Sequence, residues 1–402
     1  MSDDEVDEDL LALLRKSLGV DVGNDAPKPA KTGVLEDSQF VYDNSADVAL
    51  DMGGTKAAAA SIWTSIQEKE YSTRDWSKHE LHPKAKDETT VKFVFLMDLI
   101  NFSFFSDHDD PEQGFAVEYR GRQWTGYWSL VAAVQRALDE GISVTSPSFW
   151  VNEAECTDDV LKHVFRSATS EKMPLLNDRI YCIREAGYVL QEVNPLDTTS
   201  SITADFRQRF EGSFATCIED ANGSATALVS LLVDNFPCLD DRHRFDGSTV
   251  RFHKRAQILV ADLWACFEGE SYGYFHDIEQ ITMFAGKRFP VTFFKSTITA
   301  ENISDYRIPQ MLHSLGCLQY SPPLESHIRR RKPIESGHSW ELQLRGCSIW
   351  CVELLRREIL RQHPESQINA ILIDFFLYDT VKEMEAMGLE SIPHHRTRSI
   401  WY

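Results

Sequence analysis

Apolar residues recur at helical spacing along most of this chain. In VKFVFLMDLINFSFF they are too continuous for a surface helix, and they predict a buried helix from Val91 to about Phe102. The stretch WSLVAAVQRALDEG, Trp128 to Gly141, spaces its apolar residues three and four apart and closes on a glycine suited to a helix C-terminus. The segments SATALVSLLVDNF, HKRAQILVADLWACFEG, IPQMLHSLGCL and CSIWCVELLRREILRQ show the same period. Alternation of period two is confined to FAVEYRGRQWTG, a hairpin turning at Arg120-Gly121, and to short pieces such as HSWELQLRG. The pattern predicts a mainly α-helical fold, one large domain over residues 33–402 with a small β-hairpin element. Residues 1–32 break the pattern. Their acidic run, the amphipathic LLALLRKSL and the linker GNDAPKPAKTG read as a disordered acidic tail.

Charge narrows the partners. The 402 residues carry 41 Lys+Arg against 62 Asp+Glu, a formal charge of -21. Such a surface repels phosphate backbones, so no direct nucleic-acid partner is expected, while one small anion in a local pocket is compatible with it. No apolar run approaches the roughly 20 residues that span a bilayer, and the acidic start MSDDEVDEDL is unlike a signal or transit peptide. The expectation is a soluble protein with no membrane partner, in the cytoplasm and with the nucleus also open to it. Eight scattered cysteines in apolar helical contexts read as buried free thiols. Cys347 and Cys351 sit four apart with no second pair, so no metal is expected.

Three carboxylates stand inside strongly apolar segments: Asp98 in FLMDLINF, Asp262 in ILVADLWA and Asp374 in ILIDFFLYD. A buried carboxylate requires partners. One such residue is most simply a cap or an interhelical pair; three beside abundant aromatics point to a polar pocket lined by rings. The pair Lys254-Arg255 opens a long apolar helix, a placement that usually means a surface or interhelical salt bridge. Gly-rich phosphate loops, HExxH, GxSxG and GxGxxG are all absent from the sequence, which argues against kinases, zinc proteases, serine hydrolases and dinucleotide oxidoreductases. The residues by themselves describe a helical protein with a polar, aromatic-lined pocket.

Longer segments carry more. DLINFSFFSD (Asp98 to Asp107), YRGRQWTGYWSLVAAVQRALDEGI (Tyr119 to Ile142), FHKRAQILVADLW (Phe252 to Trp264), DIEQITMFA (Asp277 to Ala285), DYRIPQMLHSLG (Asp305 to Gly316), RGCSIWCVELLR (Arg345 to Arg356) and the final IPHHRTRSIWY closely resemble the queuosine salvage protein family, in order and from about Val34 onward. The resemblance implies a helical fold related to helix-hairpin-helix DNA glycosylases. It also implies hydrolysis of queuosine 5'-monophosphate to queuine and ribose 5-phosphate, with queuine salvaged for tRNA modification and no cofactor. Asp305 of DYRIPQ and Lys254 of KRAQ map to the family's catalytic pair. For binding, Asp374 suits the N1 and N2 edge of the deazaguanine, with Phe284 or Phe375 stacking on its face or simply filling core. Asp379 and His79 are candidates for the cyclopentenediol or ribose hydroxyls.

One departure falls at the centre of the motif. The family reads FADYR, whereas here Phe284-Ala285 and Asp305 are separated by the 19 residues Gly286 to Ser304. Each doubling of loop length costs only about 0.6 kcal/mol, so the fold tolerates the segment, but catalytic geometry is less forgiving. The alternative reading is therefore a non-catalytic queuosine-nucleotide-binding or interaction protein, inactivated by the insertion. The segment reads as a translated, unspliced intron: Gly286-Lys287 is encodable with a donor-like GTAAG and Ile303-Ser304-Asp305 with an acceptor-like TTTCAG, and in-frame excision rejoins Ala285 to Asp305.

Overall fold

The structure, a computed structural model, describes residues 31–69, 79–108, 113–191, 210, 212–283, 306–389 and 392–402. Helices form where the period places them. Glu88–Leu99 starts on the Asp87 side chain, which accepts from the amides of Thr89 and Thr90, and every residue from Thr90 to Leu99 except Lys92 is buried. This helix ends three residues before its predicted limit. Two buried arginines take the carbonyls at its end: Arg255 donates to the Leu99 carbonyl and Arg179 to that of Phe102. Helix Gly126–Asp139 closes as predicted, with Gly141 at φ 81° and the Ile142 amide reaching back to the Ala137 carbonyl at 2.9 Å.

One expected strand is a helix. HSWELQLRG opens the Ser339–Gln362 helix, capped by the His338 side chain, which accepts from the Trp340 amide. Its apparent alternation arises because Glu341 is a buried polar position, paired with Arg345 one turn on rather than turned to solvent. The β structure is also more than one element. Val117–Tyr119 pairs with Arg122–Trp124 about the predicted Arg120-Gly121 turn, both residues having positive φ. Arg242–Phe245 pairs with Ser248–Arg251 about Asp246-Gly247, again both at positive φ. Val48–Leu50 pairs antiparallel with Leu318–Tyr320, from the far end of the sequence.

The Ser339–Gln362 helix organises the unit Thr32–Tyr402, packing on Val34–Asp43, Met52–Glu68, Arg307–Ser314 and Ala370–Ala386. Gly346 lets the first of these approach, since a Cβ there would lie 2.5 Å from Val41 Cγ1. Gly346→Ala should therefore destabilise by about 1–3 kcal/mol through overpacking. Val41→Ala in that background should recover part of the loss. Denaturant midpoints check both, and an unchanged midpoint in Gly346→Ala would mean that the helices separate freely. All eight cysteines are buried free thiols, as the sequence suggests. Among the described residues no helix is long and apolar enough to cross a membrane. The predicted tail, apart from Lys31 and Thr32, and the segment 286–304 lie outside the described residues.

Candidate active site

Lys254 is the first residue of the Lys254–Cys266 helix, delivered there by the hairpin Arg242–Phe245/Ser248–Arg251. His253 makes the turn into the helix in the left-handed region, at φ 46°. Both members of the basic pair are buried, Lys254 at 5% and Arg255 at 1% exposure, so the simple surface salt bridge does not apply. Arg255 is held instead by the carbonyls of Leu99 and Cys238.

Asp241, immediately before the hairpin, fixes this junction. Its carbonyl accepts from the Phe252 amide at 3.0 Å, and its Oδ2 accepts from the Lys254 amide at 3.4 Å. The carboxylate thus sits at a helix N-terminus, where the macrodipole favours negative charge. Arg345 grips it in a fork, Nη1 to Oδ1 at 3.2 Å and Nη2 to Oδ2, while His243 Nε2 lies 3.0 Å from Oδ1. Burial by itself would raise the Asp241 carboxyl, but the Arg345 charge and the His243 bond bring it well below the usual carboxylate range. Glu341 also touches Arg345, at 3.2 Å, yet burial pushes its carboxyl up. The guanidinium is therefore the charge partner of Asp241 above all.

Arg345 leads on to a group of rings. Its guanidinium lies 4.2 Å from the Phe252 ring and 5.3 Å from that of Tyr402. Tyr402 runs parallel to Tyr306 at 6.0 Å, Tyr306 stacks on His394 at 4.5 Å, and Phe105 meets Tyr306 edge-on at 5.5 Å. The Tyr402 hydroxyl and His395 Nε2 are 2.9 Å apart. Ser103 ties the last residues down, its amide donating to the Tyr402 carbonyl and its hydroxyl to that of Ser399.

Of the sequence-predicted residues, Asp305 and Phe284 lie outside the described residues. Tyr306, covalently next to Asp305, is fully buried in the ring group. Asp374, Phe375 and Asp379 are all buried on the Ala370–Ala386 helix, which packs against Arg307–Ser314, the helix that Tyr306 opens. Phe375 belongs to the main hydrophobic core. His79 sits apart from this sequence of contacts, stacked on Trp128 at 3.4 Å and edge-on to Trp124 and His82. Among the described residues no group of three or more His, Cys, Asp or Glu could hold a metal ion.

Burial first, then Lys84 and Arg122, holds the His79 imidazole down at about 3; burial and then Arg345 do the same to His395. A histidine depressed from 6.5 binds fewer protons folded than unfolded, so its stabilising share is present above pH 6.5 and lost as pH falls toward 3. The thermal midpoint should drop between pH 7 and pH 5, and His395→Gln should flatten that slope. An unaltered slope would mean that His395 protonates freely in the fold.

Asp241, Arg345, Tyr306 and Tyr402 escape a reading based on motifs alone. Asp241 was findable from the Asp246-Gly247 turn signal, which marks the hairpin that it precedes. The rings and Arg345 stand in the quoted segments without any local mark of their role.

Residues 81–300 and 294–402 match the queuosine salvage protein family. This chain belongs to that family. It is 39% identical over 382 residues to the queuosine 5'-phosphate N-glycosylase/hydrolase of Schizosaccharomyces pombe, covering 92% of this chain and 99% of that protein. The protein of the same name from Mus musculus is 38% identical, covering 91% and 98%, and that from Sphaerobacter thermophilus is 33% identical, covering 92% and 98%. The family match comes in two stretches that overlap at residues 294–300, inside the interval Gly286 to Ser304.

Proposed function

We propose that the chain is a queuosine 5'-phosphate N-glycosylase/hydrolase, releasing queuine from queuosine 5'-monophosphate. Full-length similarity to relatives bearing that name carries the reading. The convergence of Ser103, Phe105, Lys254, Tyr306, Arg345 and Tyr402, from five of the resembling segments, supports the location of the site. The same reading relates the helical fold to helix-hairpin-helix DNA glycosylases, and assigns the protein to the cytoplasm with a free nucleotide rather than tRNA as its substrate.

The chemistry follows from the bond. As the N-glycosidic bond breaks, its electron pair leaves with the base and positive charge builds on the ribose ring. Asp305 beside C1' stabilises that charge and orients the water that adds there. Queuine, a 7-deazaguanine, has no N7 to protonate, so its negative charge must be met elsewhere on the ring. Lys254 keeps Asp305 ionised and meets a substrate oxygen, because a nearby cation lowers a carboxylate pKa. Asp374 accepts from the N1 and N2 groups of the base, with Phe284 or Phe375 on its face, and Asp379 serves the hydroxyls; His79 joins them only if the nucleotide extends to the Trp128 ring on which it stacks.

Asp374→Asn should raise KM by about 10- to 100-fold, since it replaces a charge-assisted acceptor pair by one acceptor facing two donors. Initial-rate kinetics with queuosine 5'-monophosphate check this, and an unchanged KM would remove Asp374 from the base site. Because the family match breaks inside Gly286 to Ser304, a second reading remains, a chain that binds the nucleotide without cleaving it. Mass-spectrometric detection of free queuine separates the two.

A further inference from the structure

Two helix starts bear on this centre from separate parts of the fold. Lys254 begins a helix placed by a hairpin, and Asp305 directly precedes Tyr306 and its helix. Buried contacts join the start of the Lys254 helix to Tyr306. Asp241 holds the Lys254 amide at 3.4 Å and the Phe252 amide at 3.0 Å through its side chain and its carbonyl respectively. Arg345 clamps the same carboxylate and lies against the rings of Phe252 and Tyr402. Tyr402 in turn runs parallel to Tyr306, and both are buried.

We propose that the buried Asp241–Arg345 ion pair is a positioning element for the hydrolysis, joining the start of the Lys254 helix to the ring stack that carries Tyr306. This rests on the assignment of Lys254 and Asp305 as the catalytic pair. Neither Asp241 nor Arg345 touches substrate in this account. Asp241 acts through the main chain of Lys254, and Arg345 acts through Asp241 and Tyr402. The geometry is suited to the task because each partner is fixed from two sides. Asp241 has His243 and Arg345 on its carboxylate, and Arg345 has Asp241 and Glu341 on its guanidinium. A bidentate fork fixes angle as well as distance, which a single surface ion pair does not.

The test is a kinetic cycle on the full chain with queuosine 5'-monophosphate, following initial rates of queuine release at varied substrate. Asp241→Asn should lower kcat by about 30- to 100-fold while KM stays within about threefold, as a misplacement near 1 Å predicts. In a Lys254→Ala background the same substitution should lower kcat by less than about twofold, because the group that it positions is gone. Arg345→Lys, which keeps the charge and loses the fork, should lower kcat by a smaller factor of about tenfold and be partly non-additive with Lys254→Ala, because Arg345 also acts through Tyr402. That variant carries the cycle if Asp241→Asn fails to fold by circular dichroism. Losses that multiply in the double variants, or a raised KM with kcat unchanged, overturn the positioning role. Wild-type turnover in Lys254→Ala overturns the assignment of Lys254 itself, a separate result.

Discussion

Asp305→Asn should abolish measurable release of queuine while leaving the thermal midpoint within about a degree of wild type. The amide preserves the shape of the carboxylate and removes the charge that a ribose oxocarbenium-like state requires. Loss of one preorganised electrostatic group typically lowers the rate by about 10²–10³, and a group that also orients the water stands at or beyond the upper end. The substitution should leave nucleotide binding within a few-fold, because the charge matters most after the bond begins to break. Turnover near wild type in Asp305→Asn would mean that another carboxylate carries the reaction, and Asp374 and Asp379 would be the next to test.

The second large effect concerns Gly286 to Ser304. Removing these residues joins Ala285 to Asp305 and restores the uninterrupted ITMFADYRIPQ. The deletion variant should turn over faster than the full chain, by up to about 100-fold if the insertion displaces Asp305 by near 1 Å. Sequencing transcripts across the junction gives an independent check, since the intron reading requires mature messages that lack the segment. Transcripts that uniformly retain it, together with a deletion variant slower than the full chain, would make the insertion a working part of the protein.

Helices were legible wherever a single period ran long enough. Trp128 to Gly141 and Ala225–Asn235 are examples, because propensity, apolar spacing and capping residues agree there. The Arg120-Gly121 hairpin was legible for the same reason. HSWELQLRG misled because Glu341 and Arg345 are a buried polar pair, and burial of charge inverts the pattern from which helices are read. The pairing of Val48–Leu50 with Leu318–Tyr320 has no local signal at all, since strands three residues long depend on a partner that the fold brings from the opposite end of the chain. Lys254 and Asp374 could be marked from resemblance and from their apolar surroundings. Asp241 could not be marked that way, because its importance lies in what its carboxylate holds, the Lys254 amide on one side and Arg345 on the other.

The measurement that bears most directly on the whole account is incubation of the purified chain, with and without residues 286–304, with queuosine 5'-monophosphate, followed by mass spectrometry of the small molecules. The account predicts free queuine and ribose 5-phosphate in equal amounts, formed by at least the shortened chain and lost in its Asp305→Asn variant. Nucleotide recovered intact from both forms, even where binding is seen, would contradict it.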